Sequence, residues 1–96
     1  MTESNPQSIQ VEIEDTVAQG IYANLFLVGF TSDDVTLDFA YLQPTTAKAR
    51  IRSRLVLSPR NAKRLARLLT ASVADYEAKH GPITDESGPS ITLNYN

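Results

Sequence analysis

Apolar residues recur at a two-residue period in four stretches between residues 9 and 57, and a helical period takes over after residue 58. Ile9-Gln10-Val11-Glu12-Ile13-Glu14 puts Ile9, Val11 and Ile13 on one side and Gln10, Glu12 and Glu14 on the other, the pattern of a half-buried strand. Ile21 to Phe30 predicts a second strand, with Ala23, Leu25 and Leu27 on one face. Its other face carries Tyr22, Phe26, Val28 and Phe30, interrupted by Asn24. Both faces are apolar, so both require cover. Thr31-Ser32-Asp33-Asp34 has the composition of a hairpin connection. A third strand, Val35 to Leu42, sets Val35, Leu37, Phe39 and Tyr41 against Thr36, Asp38 and Ala40. After a loop containing Pro44, a fourth strand from Ala47 to Leu57 carries Ala49, Ile51, Ser53, Leu55 and Leu57 on one side. Lys48, Arg50, Arg52 and Arg54 fall on the other and predict a continuous basic stripe.

The helical period begins after Ser58-Pro59. Serine is a favoured N-cap, proline suits the first helical position, and Leu57 can staple against Ala62. Ala62, Leu65, Leu69, Val73 and Tyr76 form an apolar stripe, widened by Ala66, Leu68 and Ser72. Lys79 and His80 suit the negative end of the helix dipole, and Gly81-Pro82 supplies the stop. About 22 residues make a helix of roughly 33 Å, long enough to cross a small sheet.

The expected fold is therefore α+β: a four-stranded antiparallel β-meander with one long C-terminal amphipathic helix packed on one face. Residues 1–8 read as a frayed terminus and 9–82 as a single domain. In the tail, 83–96, the alternating Ile91-Thr92-Leu93-Asn94-Tyr95 leaves two readings open: an added edge strand, or no fixed structure.

Charge is segregated along the chain. Residues 1–47 carry the acids Glu3, Glu12, Glu14, Asp15, Asp33, Asp34 and Asp38 and no lysine or arginine. Residues 48–67 carry Lys48, Arg50, Arg52, Arg54, Arg60, Lys63, Arg64 and Arg67 and no acid. These eight cations are the candidate surface for an anion or partner. Cations two residues apart on a strand are spaced close to a nucleic-acid phosphate repeat. The competing reading is internal pairing with Glu12, Glu14 and Asp38, which also project from polar strand faces, and this is favoured. The net charge of −2 and the lack of a basic-strand aromatic motif argue against a dedicated nucleic-acid binder.

Catalytic chemistry is sparse. There is no cysteine and a single histidine, His80, placed at a helix end. The four glycines stand singly and form no phosphate loop. No acid and histidine spacing fits a metal, and no cofactor is expected. A non-enzymatic binding or assembly module is the expectation; an enzyme would need Asp38, Arg54 and Lys63 to converge between subunits. No apolar run approaches a membrane span, and the polar N-terminus does not read as a signal peptide, so a cytoplasmic location is expected. Tyr22, Phe26, Val28 and Phe30 would leave a large exposed patch in a monomer. A homodimer or higher homo-oligomer closing on that face is the expected partner state, with another protein a further candidate.

Several strings in order, Tyr22-Ala23-Asn24, Leu37-Asp38-Phe39, Ser53-Arg54-Leu55-Val56-Leu57-Ser58-Pro59, Ala62-Lys63-Arg64-Leu65, Tyr76-Glu77 and Gly81, give the chain a family likeness. From Tyr22 to Ile83 it resembles a family of short prokaryotic proteins known as domain-of-unknown-function family 3467. The resemblance implies no activity. It does place Asn24, Asp38, Arg54 and Lys63 within the family motif.

Overall fold

The computed structural model describes residues 8–84 and 90–94. In chain order the elements are α1 (Asp15–Ala18), β1 (Leu25–Phe30), β2 (Val35–Gln43), β3 (Lys48–Leu57), α2 (Pro59–His80) and β4 (Ser90–Asn94). The sheet runs β3-β2-β1-β4. β1, β2 and β3 form an antiparallel meander, and β4 joins the outer side of β1 in parallel. The antiparallel meander thus has three strands, not four. Ile9 to Glu14, expected as its first strand, forms no ladder and is exposed throughout. Of the two readings of the tail, the added edge strand is the one seen, over Ser90–Asn94. All but residue 8 of the expected frayed terminus lies outside the described residues, as do 85–89 and 95–96 of the tail.

Local chemistry explains the connections. Between β1 and β2 the Thr31 hydroxyl accepts from the backbone N–H groups of Asp33 and Asp34, each at 3.1 Å. The Thr31 N–H in turn donates to the Asp34 carbonyl at 2.9 Å, closing the hairpin. Helix α2 starts where Ser58 Oγ accepts from the Asn61 N–H at 3.1 Å, with Pro59 in the first turn. It ends at Gly81, whose φ of 94° is open to glycine without strain. His80 rests against Tyr76, with ring centroids 4.8 Å apart.

Pairing assigns the two faces of the sheet, since residues directly opposite in antiparallel strands point the same way. Phe26, Val28 and Phe30 face the same side as Phe39, Leu37 and Val35. Phe26 and Phe39 meet edge to face at 5.9 Å. Leu25 and Leu27 share the opposite side with Ala40 and Asp38. The buried centre lies on that second side: among the described residues Leu25 and Ala40 are the buried apolar side chains, and Asp38 is buried with them.

That centre is small. Helix α2 lies nearest β3, and none of its 22 residues is buried. Leu65, Leu68, Leu69, Val73 and Tyr76 all remain substantially exposed. The expected packing of the helix across the sheet is therefore not closed within one chain. The radius of gyration is 16.9 Å, against roughly 12–13 Å for a compact chain of this length.

Candidate interaction site

Two surfaces are left open, one apolar and one basic. The apolar one is a groove of about 440 Å³ between sheet and helix. Phe26, Val28, Val35, Leu37 and Phe39 line it from the sheet, and Ala62, Leu65, Ala66 and Leu69 line it from the helix. Phe26, Val28 and Phe30, three residues of the expected oligomer face, lie on this side of the sheet and are partly exposed. Tyr22 precedes β1 and stacks edge to face on Tyr41 at 6.2 Å, so it lies beyond the groove's end.

The basic surface differs from the expected stripe. β3 pairs with β2 as Asp38↔Arg54 and Phe39↔Ser53, then Ala40↔Ile51 and Tyr41↔Arg50, so Arg52 is an extra residue at a β-bulge. A bulge shifts the alternation of the strand by one residue. Lys48 and Arg50 therefore share the face of Tyr41 and of Leu55 and Leu57, while Arg54 falls on the face of Asp38. The continuous row of four cations is split. Lys48, Arg50 and Arg52 line a hollow of about 460 Å³ with Tyr41 and Gln43.

Arg54 is held by Asp38. Its Nε donates to Oδ1 at 2.6 Å and its Nη2 to Oδ2 at 2.9 Å, a two-point charge-assisted contact. The carboxylate side chain is 2% exposed and the guanidinium side chain 55%. The hydrogen bond from Arg54, with its positive charge, outweighs burial and holds the Asp38 pKa below its ordinary 3.8. Of the internal pairings expected for the strand cations, this is the one seen among the described residues. Glu12 and Glu14 have no ion pair among the described residues, and neither do Lys48, Arg50 and Arg52.

Asn24 turns out to be a ladder residue rather than an interruption. Its Oδ1 accepts from the Leu42 N–H at 2.7 Å and its Nδ2 donates to the Leu42 carbonyl at 3.2 Å. Its own N–H donates to the Ala40 carbonyl at 3.0 Å. The side chain so prolongs the β1–β2 pairing beyond the end of β1. Lys63 stands apart on the exposed helix surface, beside a shallow depression it lines with Arg67. Arg60 and Arg64 are exposed on the same half of α2, and Arg64 Nη1 donates to Asn61 Oδ1 at 3.4 Å. Asp38, Arg54 and Lys63 thus resolve into a structural pair and a separate surface lysine: Asp38 borders the apolar groove, whereas Lys63 lines the depression on the helix. Among the described residues no cluster of acids and histidine could hold a metal ion. No described helix is long and apolar enough to cross a membrane.

The bulge and the Asn24 bridge were the features missed from sequence. Cations at every second position from Lys48 to Arg54 carry no sign of a bulge. Asn24 did carry a signal, as a lone amide in an apolar strand.

No curated protein and no solved structure matches the chain. A family model described as "Protein of unknown function (DUF3467)" matches residues 1–85. The match takes in Asn24, Asp38, Arg54 and Lys63, and also the N-terminal segment that the sequence resemblance left outside. The chain belongs to the DUF3467 family of proteins of unknown function.

Proposed function

We propose that this protein is a non-enzymatic assembly module whose working unit is a symmetric homodimer. The observation that carries the reading is helix α2: 22 residues with an apolar stripe and not one of them buried. An amphipathic helix gains most of its stability from tertiary packing of its apolar face. A single chain offers that face only a groove open to water, which it lines with Phe26, Val28, Leu37 and Phe39. Monomers rarely expose a continuous apolar patch of more than a few hundred Å². Two-fold association is the commonest way to close one, because the same patch serves both partners. Substitution of Leu69 by Glu tests this. Leu69 is 58% exposed in the single chain, where a charge would change stability by about 0.5 kcal/mol or less. In the dimer the same charge is buried, and Leu69→Glu should abolish association. A variant with wild-type mass and stability would overturn the reading.

A nucleic-acid-associated reading has one observation in its favour: Lys48, Arg50 and Arg52 gather beside Tyr41 with no acid among the described residues to neutralise them. Binding of that kind would weaken steeply with salt. Titration of labelled oligonucleotides at two ionic strengths separates it from the assembly reading, which expects no measurable binding at physiological salt.

A further inference from the structure

Ile9 to Glu14 poses a physical problem. The segment alternates as a strand does, yet it pairs with nothing among the described residues. Ile9, Val11 and Ile13 are 80%, 89% and 64% exposed. Three β-branched residues at a two-residue period gain nothing from water; the pattern is written for a sheet.

One edge of the sheet suits it. β3 is the outermost strand, so its far row of N–H and C=O groups has no ladder partner among the described residues. Such a row is a template for another extended segment. The charges match as well. Glu12 and Glu14 recur every second residue, and so do Lys48 and Arg50 at the start of β3, with Arg52 beside them at the bulge. The β4 edge offers no comparable run of cations, since Ser90-Ile91-Thr92-Leu93-Asn94 is uncharged.

We infer that the N-terminal segment of one copy adds as a strand to the β3 edge of a second copy, setting Glu12 and Glu14 against the partner's basic edge. The inference rests on the homodimer reading and gives that dimer a reciprocal exchange. Within one chain the segment forms no ladder with the sheet, and the exchange supplies one from the second copy. Exchange of identical elements across a two-fold axis buries both arms at once. It also gives the unneutralised cations of β3 their counterions and completes the strand that the sequence pattern calls for.

The test is a charge exchange between two full-length variants. The arm variant carries Glu12→Lys and Glu14→Lys; the edge variant carries Lys48→Glu and Arg50→Glu. Each alone sets like charges against like, and its self-association should weaken by about tenfold or more. Mixed or co-expressed, the basic arm meets the acidic edge and the acidic arm meets the basic edge. Native mass spectrometry should then show the heterodimer well above the statistical proportion. Co-expression keeps the readout available where a variant does not fold alone. An Asp33→Lys, Asp34→Lys control carries the same charge change on the exposed hairpin and should mix statistically with the edge variant; work at 0.15 M salt confines charge effects to about 8 Å. Statistical mixing of arm and edge variants, with dimers intact, overturns the exchange and leaves the homodimer standing. Oligonucleotide binding lost in the edge variant, with association unchanged, likewise overturns it and gives the hollow to nucleic acid. A wild-type chain that is monomeric throughout overturns exchange and dimer together.

Discussion

Asp38 and Arg54 are unequal partners, and the inequality predicts which half of the pair is dangerous to remove. The Asp38 side chain is 2% exposed and the Arg54 side chain 55%. Deleting the arginine charge, as in Arg54→Met, leaves a carboxylate sealed in the sheet with no counterion. Breaking a buried pair in this way costs about 3–5 kcal/mol. Deleting the carboxylate charge, as in Asp38→Asn, removes the contact from a guanidinium side chain that is already 55% exposed. The loss is then of the order of a charge-assisted hydrogen bond, about 1.5–3 kcal/mol, toward the lower end because the arginine is half solvated. The double variant Asp38→Asn, Arg54→Met should therefore be more stable than Arg54→Met alone. Urea unfolding at a fixed protein concentration measures all three, the concentration being held because association contributes to apparent stability. Acid titration supplies an independent check. In the wild type the folded pKa of Asp38 is lowered, so its contribution is full above the ordinary 3.8 and is lost as pH falls through the lower folded value. In Arg54→Met burial acts on the carboxyl without its counterion and raises its pKa, so acidification relieves that variant instead. Equal costs for the two single variants, an additive double variant, or parallel acid profiles would show that the two partners are equivalent.

Two further substitutions address the scaffold. Asn24→Ala removes both side-chain bonds to Leu42 and should cost about 1–3 kcal/mol; the Leu42 amide should exchange with solvent distinctly faster, and unchanged protection would contradict the bridge. Ser58→Ala removes the acceptor for the Asn61 N–H and should cost about 1 kcal/mol, read as a lowered melting temperature with the strand amides unaffected.

What was legible in the sequence is what neighbouring residues decide. Ser58-Pro59 and Gly81-Pro82 bracket α2, and the helix runs from Pro59 to His80 as those signals require. Thr31 to Asp34 closes the hairpin through its own threonine hydroxyl. The departures all lie at longer range. The cations from Lys48 to Arg54 recur at every second residue, yet the bulge at Arg52 is set by how β3 meets β2, and it moves Arg50 and Arg54 to opposite faces. The parallel docking of β4 on β1 likewise joins distant segments. Ile9 to Glu14 has the pattern of a strand but no ladder partner among the described residues, which the residues themselves could not announce. Of the candidate site, the apolar face of Phe26, Val28 and Phe30 was readable from alternation, whereas the hollow of Tyr41, Lys48, Arg50 and Arg52 depends on the bulge.

One chain leaves the apolar stripe of α2 open to water, and a second copy closes it in the dimer proposed above. Sedimentation equilibrium of the full chain across micromolar concentrations tests it most directly. The expected result is a folded species of twice the 10.6 kDa chain mass, dissociating on dilution with loss of helix signal as the groove between α2 and the sheet is exposed. A single 10.6 kDa species, folded and cooperative at every concentration, would contradict it.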